Sequence, residues 1–523
     1  MACHQYENNE SQKNTLFFHL VACQPEPLKI NFPKTDLAEV PIIPKPISVT
    51  PTHTAFGLHQ NITVATNLQI DSLQELSTHL SQSLEAILGK DTLVQESPFK
   101  IHLDIIDTIA ELDAAESYQL EIKEEDLHIR SKTVEGAFRG IQTLLQLIPE
   151  KSNDTLAPFK IWPIPSGTIQ DAPQYNFRGT MLDVARHFFT VEEIKKHIDI
   201  LSFYKFNVLH LHLTDDQGWR IEIKSWPKLA QVGGQTEVGG TPGGYYTQED
   251  YKEIIAYAQE KHITIVPEID MPGHTNAASL AYPLLDGTGK TIKPYTGMRV
   301  GFSSFNTRDE AVYAFVDDVV REIAALTPGP YLHIGGDESH ATKKADYSYF
   351  VERVEGIVQS HGKRMMGWDE VATTNLSPST VVQFWNDTEN ALKAAQNGNQ
   401  ILISLAKKMY LDMKYDTDSK FGLDWAGLIP VDSAYAWYPD KHVKGLAPKN
   451  ILGIEAPLWS ETISNSAELE YLAYPRVIGH AELAWSKPEH LNWDEYRKRL
   501  AKHARHLERL NVNFYRSPLV DWE

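Results

Sequence analysis

The chain has 523 residues, 42% apolar and 23% charged, which is enough for a packed core and for a large α/β barrel with an added domain. Its 69 acidic residues against 49 basic ones give a formal charge of −20. This excess argues against a nucleic acid or an anionic membrane as the main partner, and it is compatible with a neutral ligand such as a sugar. The two cysteines, Cys3 and Cys23, cannot build a disulfide framework or a thiolate zinc site.

Residues 1–40 are predicted to form a leader outside the folded body. Its apolar run ends in Leu20-Val-Ala-Cys23, which resembles the lipobox of bacterial lipoproteins. The run is short, contains His19 and follows a long polar stretch, unlike a regular signal peptide. A bacterial envelope location, periplasmic or lipid-anchored through Cys23, and a cytoplasmic one both remain open. We expect no transmembrane segment, because no other apolar run is long enough.

Residues 41–170 are predicted to form a small α+β domain. Alternating or β-branched runs predict strands over 62–66, 100–106, 118–122 and 127–131, and apolar residues at helical spacing predict helices over 71–88 and 134–148. The segment Trp162-Pro-Ile-Pro-Ser-Gly167 is predicted to be a connector, since it is rich in proline.

Residues 171–490 repeat a strand-then-helix pattern that predicts a (β/α)8 TIM barrel. The predicted strands are 177–183, 208–215, 264–270, 331–337, 364–369, 381–386, 401–410 and 451–459. Helical patterns lie between most of them, over 191–204, 248–261, 308–326 and 347–361. Residues 491–523 are predicted to be a C-terminal helix and tail that pack on the barrel.

The carboxyl ends of these predicted strands carry polar or aromatic groups, and barrel active sites form at that face. The groups are Asp183, Asp215-Asp216, Glu268 with Asp270, Asp337-Glu338, Trp368-Asp369, Trp385-Asn386, Tyr410 with Asp412, and Trp459 with Glu461. Three long insertions, over 217–246, 274–307 and 412–450, are predicted to wall the cleft.

The stretch Tyr331-Leu-His-Ile-Gly-Gly-Asp-Glu338 is the predicted centre of the chemistry. Gly335 and Gly336 let the backbone bend, and adjacent Cα atoms lie ~3.8 Å apart, so Asp337 and Glu338 suit two neighbouring atoms of one ligand. The structural alternative is an acidic pair that caps a following helix.

Several further side chains are candidates for the same site. Tryptophan and tyrosine rings beside carboxylates suit a pyranose, and Arg178 is the main predicted cation. His274 would either link Asp215 to Glu338 and set its proton affinity or staple its own loop. The pair His210-x-His212 has metal-ligand spacing, but its position inside the barrel favours a hydrogen-bonded core pair, and we expect neither metal nor cofactor. The aromatic walls are Trp368, Trp385, Tyr410 and Trp459.

At this point the sequence resembles the family 20 glycoside hydrolases, the β-N-acetylhexosaminidases and chitobiases. The resemblance extends over nearly everything after residue 40. It rests on His333-Ile-Gly-Gly-Asp-Glu338, Phe177-Arg-Gly-Thr-Met-Leu-Asp183, Asn207-Val-Leu-His-Leu-His-Leu-Thr-Asp-Asp216, Pro267-Glu-Ile-Asp-Met-Pro-Gly-His274 and Gly453-Ile-Glu-Ala-Pro-Leu-Trp-Ser-Glu461.

The resemblance implies an exo-acting, retaining enzyme in which the substrate's own acetamido oxygen is the nucleophile. Glu338 would be the general acid and then base, and Asp337 would orient the acetamido group. Tyr410 would hydrogen bond the acetamido oxygen, and the three tryptophans would enclose the sugar. Further implied roles are hydroxyl binding, by Arg178, Asp412 and Glu461. The resemblance also implies a set of side chains that contact the catalytic pair and adjust its proton affinity, namely Asp215, His274 and His333.

The expected partners are oligosaccharides or glycoconjugates that end in an N-acetylhexosamine, with GlcNAc or GalNAc and the oligomeric state left open. A non-catalytic sugar-binding barrel is the main alternative, and a metal-dependent hydrolase is the second.

Overall fold

The computed structural model describes residues 30–89, 97, 99–109, 112–152, 156 and 160–523. Cys3, Cys23 and the lipobox-like segment lie outside the described residues. None of the described helices combines the length and the apolar character needed to span a bilayer.

The first part of the chain forms a six-stranded sheet with two helices. Its strands are β1 (Ser48–Leu58), β2 (Thr63–Thr66), β3 (Lys100–Ile105), β4 (Tyr118–Ile122), β5 (Asp126–Ser131) and β6 (Trp162–Asp171), in the order β1-β6-β4-β5-β3-β2. The helices are α1 (Asp71–Leu88), whose leucines at helical spacing are buried, and α2 (Val134–Leu147).

The predicted connector at Trp162 is wrong, because this segment is the start of β6. Pro163 and Pro165 pair with β1 only, whereas β4 pairs with β6 from Gly167 onward. The prolines therefore occupy a stretch where one side of the strand has no neighbour and no amide hydrogen is needed.

The second part of the chain forms a closed barrel of eight parallel strands. These are β7 (Phe177–Asp183), β8 (Val208–His212), β9 (Thr264–Glu268), β10 (Tyr331–His333), β11 (Arg364–Trp368), β12 (Val381–Phe384), β13 (Gln400–Ile403) and β14 (Ile451–Leu458). β14 pairs with β7 and closes the ring. The inward side chains near the amino ends form an apolar plug, made by Phe177, Val208, Val266, Met366, Val381 and Leu402.

Helices surround the barrel and extend its loops. They are α3 (Val191–Phe203), α4 (Lys228–Gly233), α5 (Gln248–Glu260), α6 (Asn276–Ala281), α7 (Glu310–Leu326), α8 (Lys344–Ser360), α9 (Thr388–Asn397), α10 (Ala406–Met409), α11 (Val431–Tyr435), α12 (Pro439–His442), α13 (Ser466–Ala473), α14 (Arg476–Trp485), α15 (Trp493–Lys502) and α16 (Ala504–Arg509). Capping boxes at Thr190 and Thr247 start α3 and α5. Short 3-10 turns occur at Leu37–Glu39, Val238–Gly240, Asp369–Thr373, Pro448–Asn450 and Pro488–His490.

Buried ion pairs join the two sheets at the amino end of the barrel. Glu116, just before β4, accepts hydrogen bonds from Arg139 of α2 and from Arg178 of β7. Lys205 of the barrel contacts Asp171 of β6 at 3.0 Å. Burial opposes the charge of Glu116, yet the two arginines lower its pKa to about 2. The two parts of the chain are therefore joined by these buried ion pairs, which we call the seam.

Candidate active site

The stretch that carries Asp337 and Glu338 turns sharply after β10. Gly335 and Gly336 have φ values of 66° and 93°, in the left-handed region that glycine adopts readily. A Cβ at Gly335 would lie 1.9 Å from Asp270 Oδ1, and the amide of Gly336 donates to that same oxygen at 3.1 Å. The two glycines thus let Asp270 hold the turn that presents Asp337 and Glu338, which is why β10 ends earlier than predicted.

Asp337 and Glu338 face the same imidazole. His274 Nε2 lies 3.7 Å from Asp337 Oδ2 and 3.7 Å from Glu338 Oε2. Burial, followed by the neighbouring Asp337 carboxylate, raises the pKa of Glu338 to about 7. A carboxyl group with this pKa holds a proton near neutral pH and can also release it, as a general acid and base must.

Asp215 contacts the other ring nitrogen of His274. Its Oδ1 lies 3.2 Å from His274 Nδ1, and its Oδ2 lies 2.7 Å from a guanidinium nitrogen of Arg186. Burial disfavours both charges, but Arg186 keeps the pKa of Asp215 well below its usual value, and Asp215 keeps that of His274 well above it. The structure thus places His274 between Asp215 and Glu338, where a linking role requires it.

The predicted aromatic walls lie together in one apolar cluster. Trp368 and Trp459 have ring centroids 5.6 Å apart, and Tyr410 lies 6.2 Å from Trp459. Trp385 stacks on Tyr410 at 6.3 Å. Tyr410 does not end a long strand, as predicted, because β13 stops at Ile403 and the short helix α10 carries the tyrosine to the cleft. These rings form a box of the kind that suits the apolar faces of a sugar.

The cluster is bordered by buried carboxylate oxygens that lack hydrogen-bond partners among the described residues. Both oxygens of Asp412, Glu461 Oε2 and Asp337 Oδ1 are in this state. Burial, and then Glu461, raises the pKa of Asp412 well above its usual value. Buried acceptors without partners are costly, so these oxygens are suited to the hydroxyl and amide hydrogens of a ligand.

The predicted role of Arg178 in substrate binding is wrong. Arg178 is the second residue of β7, so it lies at the amino end of the barrel, opposite the active-site face. Its guanidinium donates to Glu116 and to the carbonyls of Tyr175 and Lys205, and the side chain is buried. From this end of the barrel the guanidinium cannot reach a sugar bound at the opposite face.

Arg186 is the cation that the sequence reasoning missed. It follows β7 by three residues and lies over the Trp459 ring at 4.9 Å. Asp183 holds it, because the Asp183 carboxylate accepts from the amides of Ala185 and Arg186 and from the guanidinium. Its position after a strand's carboxyl end, in Asp183-Val-Ala-Arg186, was the signal in the sequence that could have found it.

His210, His212 and His333 are wholly buried below the cleft, as predicted for a core pair in the first two cases. Four groups of buried His, Asp and Glu side chains in the described part of the chain have ligand atoms within 4.8 Å of one another, including His210-Glu268-His333. In each group at least two members already pair with each other. A metal in any of these groups would have to displace the proton that the paired side chains share.

Comparison with known proteins decides the family. Residues 175–488 match the catalytic domain of glycosyl hydrolase family 20, and residues 39–172 match domain 2 of that family. The chain belongs to glycosyl hydrolase family 20.

Relatives within the family agree over most of the chain. The β-N-acetylhexosaminidase of Cellulomonas fimi is 38% identical over 496 residues, covering 93% of this chain and 98% of that protein. The solved family 20 β-N-acetylhexosaminidase of Streptomyces coelicolor A3(2) has a TM-score of 0.87 and 41% identity, covering 92% and 99% of the two chains. The exo β-N-acetylglucosaminidase of Vibrio harveyi, solved with N-acetylglucosamine, has a TM-score of 0.79 and 32% identity, covering 91% and 78%.

The predicted family is confirmed, as are the (β/α)8 barrel with its preceding α+β domain and the enzyme class, a glycoside hydrolase with β-N-acetylhexosaminidase activity.

Proposed function

We propose that this family 20 enzyme removes the terminal, non-reducing β-linked GlcNAc or GalNAc residue from oligosaccharides or glycoconjugates, using the acetamido oxygen of the substrate as nucleophile. The observation that carries the mechanism is the pair Asp337-Glu338. The two carboxylates are adjacent, share His274, and differ in setting, because Asp337 is buried and the Glu338 side chain is 31% exposed. Their adjacency suits one acid for the leaving group and one for the neighbouring C2 substituent.

In the first step the Glu338 proton moves to the glycosidic oxygen as the C1–O bond breaks. The acetamido oxygen forms a bond to C1, which gives an oxazolinium ion, and Asp337 accepts the acetamido N–H and stabilises the positive charge. In the second step the Glu338 carboxylate takes a proton from water. The water oxygen bonds to C1 and the C1–O bond to the acetamido group breaks, which leaves the sugar with its original configuration.

The remaining residues bind the terminal sugar. Tyr410 would donate to the acetamido oxygen, within the walls made by Trp368, Trp385 and Trp459. The unpartnered oxygens of Asp412 and Glu461, together with the Arg186 guanidinium, would bind the hydroxyls of the non-reducing end. This arrangement supports exo action, because charged groups at that end close the pocket.

The test is release of p-nitrophenol from the β-GlcNAc glycoside by the wild type and by Glu338→Gln. We expect kcat/KM to fall by about 10²- to 10⁴-fold in the variant, the usual contribution of general acid catalysis. The matched substrate control is the β-glucoside, which has a hydroxyl in place of the acetamido group and should be cleaved far more slowly. Equal cleavage of both glycosides would contradict substrate assistance, and an inactive wild type would leave a sugar-binding protein.

A further inference from the structure

Glu268, the last residue of β9, lies buried beneath the cleft with a ring nitrogen on every side of its carboxylate. Oε2 lies 2.6 Å from His212 Nδ1 and 3.1 Å from His210 Nε2. Oε1 accepts from the indole nitrogen of Trp368 at 2.9 Å and lies 3.1 Å from His333 Nδ1. A wholly buried carboxylate with this many partners is a strongly held anion.

The Oε2 atom of Glu268 is connected to the catalytic acid through a series of side chains. His212 bridges Glu268 and Asp215, with its Nε2 3.0 Å from Asp215 Oδ2. Asp215 contacts His274 at 3.2 Å, and His274 faces Glu338 at 3.7 Å. Carboxyl and imidazole groups therefore alternate from Glu268 through His212, Asp215 and His274 to Glu338. Removing the charge of Glu268 would therefore alter the contacts that position Glu338 through this series of side chains.

The Oε1 atom of Glu268 contacts a wall of the sugar pocket. The indole ring of Trp368 packs against Trp459, and its only polar atom is anchored on Glu268 Oε1. An indole held by its N–H cannot rotate about its side-chain torsions without losing this hydrogen bond in a buried site. The same carboxylate therefore fixes the orientation of one wall of the box.

We propose that Glu268 is a positioning residue for both halves of the reaction: through His212 and Asp215 it orients the general acid, and through Trp368 it orients the wall around the acetamido group. This inference rests on the proposed function. The competing explanation is that Glu268 only neutralises buried histidines and stabilises the fold.

Glu455 provides the matched control. It is equally buried in the barrel interior, and its Oε1 lies 2.9 Å from His210 Nδ1 and 2.7 Å from Gln383 Nε2. Within the described part of the chain it hydrogen bonds neither His212 nor Trp368. A substitution at Glu455 thus disturbs the same histidine cluster without touching either route to the site.

The experiment compares two substrates with the same donor sugar. The 2,4-dinitrophenyl glycoside has a leaving group that needs no proton, whereas the β-1,4-linked disaccharide of N-acetylglucosamine requires protonation by Glu338. Glu268→Gln retains an oxygen for Trp368 but removes the charge opposite His212. We expect kcat/KM for the disaccharide to fall about 10- to 100-fold more than that for the dinitrophenyl glycoside, as for other groups that orient a catalytic residue.

Glu268→Leu removes both oxygens and tests the second route. In addition to the altered substrate ratio, we expect the inhibition constant of a thiazoline mimic of the bicyclic intermediate to rise by about tenfold or more. If this variant does not fold, Trp368→Phe removes the anchored N–H together with the five-membered ring of the indole, and it should raise the same constant while leaving the substrate ratio near the wild-type value.

Equal loss on both substrates in Glu268→Gln would overturn the proposal, and so would an equal change of ratio in Glu455→Gln. An unchanged inhibition constant in Glu268→Leu, or in Trp368→Phe if the leucine variant does not fold, would overturn the pocket half. A wild type that cleaves neither substrate would refute the proposed function itself.

Discussion

The raised pKa of Glu338 has a consequence for stability that Glu338→Gln makes measurable. Glutamine has nearly the same shape and carries no ionisable proton. The folded protein raises the pKa of Glu338 from 4.5 to about 7, mainly through burial and then through Asp337. Because the folded state binds this proton more tightly than the unfolded chain, the wild type loses stability as the pH rises from about 4.5 through about 7. The variant has no such loss.

The size of the effect follows from the two pKa values. A difference of about 2.5 in pKa corresponds to at most about 3.4 kcal/mol in the free energy of unfolding, since each pKa unit is about 1.36 kcal/mol. About 0.8 kcal/mol of this is already present at pH 5, so the advantage of the variant should grow by at most about 2.5 kcal/mol between pH 5 and pH 8.5. The Glu338 side chain is 31% exposed, and screening by water reduces this figure.

Scanning calorimetry at both pH values is the assay. Unfolding entropy scales to about 1.1 kcal/mol/K for a chain of this length, so the difference in Tm between variant and wild type should widen by about 2 °C at pH 8.5. The control is Glu75→Gln, on the exposed surface of α1, which should show no comparable pH dependence. A Tm difference for Glu338→Gln that is the same at both pH values would refute the reasoning.

Four further predictions concern Asp337, the two arginines and bound metal. Asp337→Asn should slow turnover. It should also shift the fall of kcat/KM at alkaline pH, expected near pH 7, to lower pH, because the Asp337 carboxylate that raises the Glu338 pKa is removed. An unshifted pH profile would contradict this. Arg186→Lys should raise KM at least about tenfold, because lysine lacks the guanidinium fork. Arg178→Lys should instead lower Tm, with a loss of about 2 kcal/mol in the free energy of unfolding and a KM within about twofold of wild type. A rise in KM as large as that of Arg186→Lys would mean that Arg178 binds the substrate after all. Dialysis against a chelator should leave activity unchanged, and activity lost and then restored by zinc would support a metal hydrolase.

The barrel was predictable because its strands are apolar runs separated by amphipathic helices. Predicted strand ends were less accurate. The 331–337 strand stops at His333, since Gly335 and Gly336 take positive φ values that no strand continues. Such values follow from the contact with Asp270, which is 65 residues away from Gly335 in the chain and invisible to local patterns.

Arg178 and Arg186 show how strand direction decides function. Arg178 is the second residue of the predicted strand 177–183 and Arg186 follows its end by three residues, and composition does not distinguish them. Arg178 enters β7 and Arg186 leaves it, so they lie at opposite ends of the barrel. The partner of Arg178, Glu116, lies just before β4 of the α+β domain, so the sequence alone could not show that Arg178 donates to it.

The seam between the two sheets means that the small domain cannot be trimmed from the enzyme. A barrel cut free after residue 172, where the match to domain 2 ends, would lose Glu116 and Asp171. Arg178 and Lys205 would then lose their counter-ions, and breaking a buried pair by removing one partner commonly costs several kcal/mol. Any minimal catalytic version of this protein would have to carry the α+β domain with it, or replace two buried charges with apolar side chains.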